Sequence, residues 1–358
     1  MKVLWVRGKE NLSFTKPKVH FALGQIGSGK SSLLEAIAIQ HHKKGAAVLD
    51  IFGSVDGEGL SWLRSDLVKN REVLLLKGEN VDIKTEHDVK HVDALTLKDL
   101  EKHDFIISSH PLYLNRDHEY YSIGKLIGKL YKRLHWRRLI CLISREASSL
   151  WYSRIKVSES QSDQKNESMY MLREMRHLGV ALALDSLRLQ SIDIDLRSHM
   201  DYLYLKACGV AGLGRDLNWL YGFIRPHVIR NMDPEYFALL TRKGRIGLGQ
   251  FDFPRFHKMP KEDIVSKVGL KIEYGEVAEL PQDRGLYKTV SPKEHAEIVT
   301  LYSEGVSMNK IAEKVERSTK TISDHVHSHD NSVRRSGFCP QCRSVKCELE
   351  CRASRERH

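Results

Sequence analysis

Three features of the chain predict an α/β protein whose mainly parallel sheet is sandwiched by helices. Its apolar runs VHFAL, AAVLDIF, EVLLLK, DFIISS, LICLIS, VALAL and YLYLK are continuous rather than alternating, so both faces of each strand are expected to be buried. Helical stretches such as Ser122 to His135 and Asn166 to Leu178 fall between them, and strands alternating with helices define the class. The first run leads straight into a glycine loop and the helical run Lys30 to His42, giving the order strand, loop, helix.

At 358 residues the chain can bury one substantial core and carry small appendages. Residues 1–17 read as an N-terminal segment. Residues 18–275 read as the large domain, closed by the glycine- and aromatic-rich β segment RKGRIGLGQFDFPRFHKMP, and residues 276–290 as a linker. Apolar spacing then switches to three short helices over 291–330, and a cysteine-rich tail fills 331–358. No apolar run approaches the ~18 residues that span a bilayer, and the start MKVLWVRGKE turns charged at once, so a cytoplasmic protein without membrane insertion is expected. A formal net charge of +11 favours a polyanionic partner. Ten lysines and arginines against three acids between Pro111 and Lys156 concentrate that charge in mid-chain.

The loop GQIGSGKS, Gly24 to Ser31, fits G-x-x-x-x-G-K-[ST] in full. Its glycines let backbone N–H groups turn toward phosphate oxygens, and the helix that follows points its positive end at the same charge. The expected nucleotide contacts are Gly24, Gln25, Ile26, Gly27, Ser28, Gly29, Lys30, Ser31 and Ser32. Lys30 reaches the β and γ phosphates of ATP, and the Ser31 hydroxyl faces Mg²⁺.

The P-loop, the segment VLDIFGSVDGEG and above all REMRHLGVALALDSLRLQSIDIDLRSHMDYLYLK, Arg173 to Lys206, resemble the FtsK/HerA superfamily of nucleic-acid-pumping ATPases over roughly residues 18–255. The family's "ID..IR...DY" stretch matches Ile192, Asp193, Arg197, Asp201 and Tyr202; its Thr-Gln sensor is replaced by Ser186-Leu187, with Asp185 before and Gln190 after. The resemblance implies a homo-oligomeric ring, usually a hexamer, working on DNA, in outline like soluble HerA-like and viral genome-packaging members. It also implies that Glu146 polarises the attacking water and that Arg176 and Arg197 are candidate arginines acting in trans.

Arg145 stands where that family has an aspartate beside the metal. A cation pointing inward there would repel Mg²⁺ by roughly several kcal/mol. Three arrangements are open. Strand alternation turns Arg145 outward while Asp185 on the neighbouring strand, or Asp50 at the end of the second, takes the metal role. Alternatively, Arg145 reaches an adjacent subunit's γ-phosphate or the DNA. In the third, ATP is bound without turnover, as a switch in a DNA-binding regulator. His110, at the end of DFIISSH, is either a nucleotide sensor or a structural histidine.

Beyond the linker, Ser291, Pro292 and Glu294 form a capping box, starting a helix whose Ile298, Leu301 and Tyr302 share a face and which Gly305 ends. Ser307 and Ser318 cap two further helices with Ile311, Ala312, Val315, Ile322 and Val326 inward. The pattern resembles a helix-turn-helix of the resolvase/LuxR kind. That resemblance places Thr319, Lys320 and Ser323 against DNA bases and Arg317 near a phosphate. In the tail, Cys339, Cys342, Cys347 and Cys351 are spaced C-x2-C-x4-C-x3-C, compact enough for a tetrahedral Zn²⁺.

Overall fold

The computed structural model describes residues 1–52, 58–78, 81–108, 116–131, 138–153, 160–209, 212–254, 271–274 and 292–336. The chain divides into two compact units, Met1–Leu280 and Pro281–His358. The first is mixed α/β. Its elements are β1 (Lys2–Arg7), β2 (Val19–Leu23), α1 (Lys30–His42), β3 (Ala47–Phe52), β4 (Val73–Lys77), β5 (Val81–Lys84), β6 (Asp88–His91), α2 (Leu97–Lys102), β7 (Phe105–Ser108), α3 (Arg116–Tyr131), β8 (Ile140–Ser144), α4 (Ser160–Leu178), β9 (Val180–Ser186), α5 (Ile194–His199), β10 (Tyr202–Leu205), α6 (Pro226–Arg230), β11 (Tyr236–Thr241), β12 (Ile246–Gln250) and β13 (Lys271–Tyr274).

Eleven strands form one sheet in the order β1-β12-β11-β10-β2-β9-β8-β3-β7-β4-β6. From β10 to β6 every pairing is parallel, whereas β1, β12 and β11 continue the sheet antiparallel beyond β10. Strands β2, β8, β9 and β10 are buried at every residue. This is why their sequences are unbroken apolar runs. Their side chains fill two cores: α3 and α4 cover one, and α1 covers the other with Leu33, Leu34 and Ile37. Because the strands are parallel, the ends of β2, β3, β8 and β9 open on one edge of the sheet, where such folds place their ligands.

Two residues of the "ID..IR...DY" stretch hold backbone amides here. Asp193 caps α5 by accepting from the Asp195 amide, and Asp201 accepts from Lys18 and from the amide of Val19, pinning the start of β2.

The N-terminal segment contains a strand: β1 pairs with β12 at the outer edge. A two-stranded sheet of β5 and β13 lies apart from the main one.

The second unit contains α7 (Pro292–Ser303), α8 (Met308–Lys314) and α9 (Thr319–Ser336). Ile298, Ile311, Ala312, Val315, Ile322 and Val326 are buried together, with Leu301 and Tyr302 packed against them. Gly305, at φ +79°, ends α7 with its amide bonded to the Tyr302 carbonyl, the left-handed stop that favours glycine. The Ser318 hydroxyl accepts from the Thr321 amide as a cap should. Ser307 occupies the cap position of α8 with no side-chain cap bond. Ser291 lies outside the described residues.

Candidate nucleotide site

The loop after β2 has the shape its glycines allow. Gly29 has φ +84°, and a Cβ there would lie 2.9 Å from the Pro234 carbonyl oxygen, so both conformation and space exclude a side chain. A Cβ on Gly24 would lie 2.7 Å from Cβ of Lys206. The Gln25 amide bonds the Ala207 carbonyl and the Gly24 amide bonds the Ser186 carbonyl, at 2.9 and 3.4 Å. The loop is thus laced to the strands on either side of β2. Gly29 precedes α1 without a side-chain cap, leaving first-turn N–H groups for an anion. Lys30 is 9 % exposed, and its ammonium donates to the Gln25 carbonyl at 3.0 Å. Ser31 is half-buried, Ser28 and Ser32 are buried, and Gln25, Ile26 and Gly27 are exposed.

Arg145 departs from the sequence expectation. Strand alternation does not turn it outward: it is 6 % exposed, and its Nη2 donates to Glu35 on α1 at 3.1 Å and to Asp50 on β3 at 2.7 Å. Both carboxylates are fully buried. The Trp62 indole N–H also donates to Asp50, at 2.8 Å. The guanidinium is therefore neutralised inside its own chain, where it cannot reach an adjacent subunit or DNA. Asp50 accepts both of these bonds, from Arg145 and Trp62, through Oδ2.

Asp185 lies at the end of β9, 4 % exposed, and its Oδ1 accepts the Glu146 amide at 2.5 Å. Burial pushes its carboxyl up to about 6, opposed by the Glu146 amide and the positive charge of Lys30. Glu146 is in the left-handed region at φ +49°, uncommon for a side-chain-bearing residue and costing about 1–3 kcal/mol. Its Oε1 accepts from the Ser148 hydroxyl and, at 3.1 Å, from the Ser186 hydroxyl. Ser186 thus bridges the tip of β9 to Glu146. Lys30, Asp185 and Glu146 therefore converge on one edge of the sheet. The fit to Mg²⁺ rests on this donor set: the Ser31 hydroxyl and the buried carboxylate of Asp185 are the oxygen ligands a hard cation takes.

The folded state holds the Asp185 proton up to about pH 6 while the unfolded chain releases it near 3.8. Between those values the folded state binds more protons, so this group's contribution falls as pH rises. Asp185→Asn keeps an acceptor for the Glu146 amide without the buried charge. The variant is expected to be about 3 kcal/mol more stable than the wild type at pH 8, the gain shrinking below about 1 kcal/mol near pH 4; urea melts at both pH values check this.

Lys206, at the end of β10, was not anticipated from the sequence. Fully buried, it donates to the carbonyl of Pro234 at 2.6 Å and to that of Tyr236, and lies 4.7 Å from the centre of the Phe251 ring. Burial lowers its pKa to about 7. It ties the floor of the phosphate loop to the start of β11.

Arg176 is exposed on α4, and Arg197 pairs with Asp216 at 3.8 Å. Gln190 faces the same Asp216 at 3.5 Å. In the second unit Thr319 and Lys320 are exposed at the start of α9, and Ser323 is half-buried. Arg317, expected near a phosphate, instead binds both oxygens of Glu294 at 3.0 and 3.1 Å, tying α7 to the turn before α9. His110, Cys339, Cys342, Cys347 and Cys351 lie outside the described residues. No helix among the described residues is long and apolar enough to cross a membrane.

No protein-family model matches the chain, and no curated protein matches it. Solved structures do. The genome packaging NTPase B204 from Sulfolobus turreted icosahedral virus 2, in complex with ATP-gammaS, is similar at 15% identity and TM-score 0.37, over 65% of this chain and 97% of that one. Its sulfate complex gives 14% and 0.38, over 73% and 98%. EccC (ATPases 2 and 3) from Thermomonospora curvata, in complex with a signal sequence peptide, gives 11% and 0.38, over 68% of this chain and 38% of that one.

Proposed function

We propose that the chain is an ATPase that binds DNA and uses ATP to translocate or package it, acting as a homo-oligomeric ring in the cytoplasm. The observation that carries the reading is the convergence of Lys30, Asp185 and Glu146 beside a complete phosphate loop. In this reading the amides after Gly29 and the ammonium of Lys30 bind the triphosphate. Ser31 and Asp185 would hold Mg²⁺, and the ion would supply neutralisation of the phosphate charge. Glu146 orients a water and takes its proton as the water oxygen bonds to the γ-phosphorus and the bond to the β-bridging oxygen breaks. Ser186 steers the Glu146 carboxylate. Trans-acting arginines would come from Arg176 or Arg197 of a neighbouring copy. The second unit would read duplex DNA through Thr319, Lys320 and Ser323, and the four tail cysteines would bind Zn²⁺.

One observation favours a second reading, in which ATP is a switch rather than a fuel: the Glu146 carboxylate is already engaged by two hydroxyls. ATP turnover with and without duplex DNA separates the two. The motor predicts DNA-stimulated turnover that falls about 100-fold or more in Glu146→Gln with ATP binding retained. Tight binding with no turnover under any DNA supports the switch.

A further inference from the structure

We infer that the groove between α6 and the outer face of β1, β12 and β11 seats the adenine and ribose of the bound nucleotide. The inference rests on the nucleotide reading above and extends it to a surface the phosphate-loop motif does not reach. The direction follows from the order of strands. Glu146 and Asp185, which mark the hydrolysable end, stand at the tips of β8 and β9 on one side of β2. A triphosphate laid over the loop with its γ end toward them sends its nucleoside to the other side, over β10 and β11.

The chain meets the loop there. The Pro234 carbonyl lies 2.9 Å from where a Cβ on Gly29 would sit, and Lys206 fixes the carbonyls of Pro234 and Tyr236. Asp233 and Tyr236, which flank this contact in the chain, line the groove. It measures about 580 Å³ and is lined by His227, Asn231, Met232, Asp233, Tyr236 and Leu248, among others. That volume falls within the roughly 300–1,000 Å³ range of small-molecule sites.

The lining suits a purine nucleoside. Tyr236 is 44 % exposed, so its ring offers a face for stacking, and Met232 and Leu248 supply adaptable apolar walls. The Asn231 amide carries a donor and an acceptor side by side, the complement of the donor and acceptor that adenine shows along its N6/N7 edge; guanine shows two acceptors at that edge. Asp233 accepts hydrogen bonds from ribose hydroxyls. The site therefore favours ATP over GTP.

The test measures affinity of the full chain for ATP, GTP and inorganic tripolyphosphate, with magnesium, by calorimetry. Tyr236→Ala and Asn231→Ala are expected to weaken ATP about tenfold each, to leave tripolyphosphate unchanged and, for Asn231→Ala, to erase the preference over GTP. Lys30→Ala weakens all three ligands. Unchanged ATP affinity in both groove variants overturns the inference while the phosphate-loop reading stands. Equal weakening of ATP and tripolyphosphate also overturns it, since the side chains would then act on the loop. A wild type that binds none of the three takes down both.

Discussion

Arg145→Ala is expected to cost about 3–5 kcal/mol of folding stability, the range for removing one partner of a buried ion pair. The cost comes from what the substitution leaves behind: Glu35 and Asp50, both at 0 % exposure, would face each other without their guanidinium. Arg145→Asp is expected to be worse, because it adds a third carboxylate to two unscreened ones. Urea denaturation of the wild type and Arg145→Ala measures the effect. The triple variant Arg145→Met, Glu35→Gln, Asp50→Asn is the control, since removing all three charges together avoids stranding any of them. It is expected to recover most of the loss. If Arg145→Ala melts within about 1 kcal/mol of the wild type, the triad does not organise this edge of the sheet.

The second large effect falls on ligand binding. Lys30→Ala is expected to weaken ATP by about 100-fold or more and to remove measurable turnover, while leaving the fold intact. The ammonium donates to a single carbonyl, Gln25, at 3.0 Å. The loop keeps its other ties: the amides of Gly24 and Gln25 still bond Ser186 and Ala207. Charge-assisted bonds to phosphate are the strongest contacts such a loop can make, and losing two of them corresponds to about 3 kcal/mol, near the 100-fold figure. Calorimetric binding and a circular dichroism melt on the same variant separate a lost ligand contact from a lost fold.

What the sequence reveals here follows how local each feature is. The phosphate loop is readable because eight consecutive residues carry its whole geometry, and strands β2, β3, β4, β7, β8, β9 and β10 are readable because burial on both faces forces unbroken apolar runs. Strand β1, KVLWVR, escapes because it is an edge strand whose role depends on β12, some 240 residues on. The short polar strands VDIK and DVKH carry no periodic signal at all. The orientation of Arg145 depends on partners 110 and 95 positions away, so strand alternation alone gives the wrong side. One signal was available: Glu35 sits amid Leu33, Leu34, Ala36, Ile37 and Ala38 on a helix buried along its length. An acid in such a setting calls for a buried cation. Arg317 teaches the same lesson, since Glu294 claims it across 23 positions.

Lys206 and Pro234 illustrate the opposite limit. Nothing in the sequence marks a lysine after YLYL or a proline after Asn-Met-Asp as neighbours of the phosphate loop, yet both press on its glycines. Their placement comes from the antiparallel turn-back of β11 against β10. Only the assembled sheet brings them there.

A nucleoside triphosphate seated on the amides after Gly29 is tested by titrating the wild-type chain with a fluorescent ATP analogue in magnesium. Saturable binding of one analogue per chain, displaced by unlabelled ATP and by tripolyphosphate, is expected. Absence of saturable binding, with magnesium and duplex DNA both supplied, would contradict it.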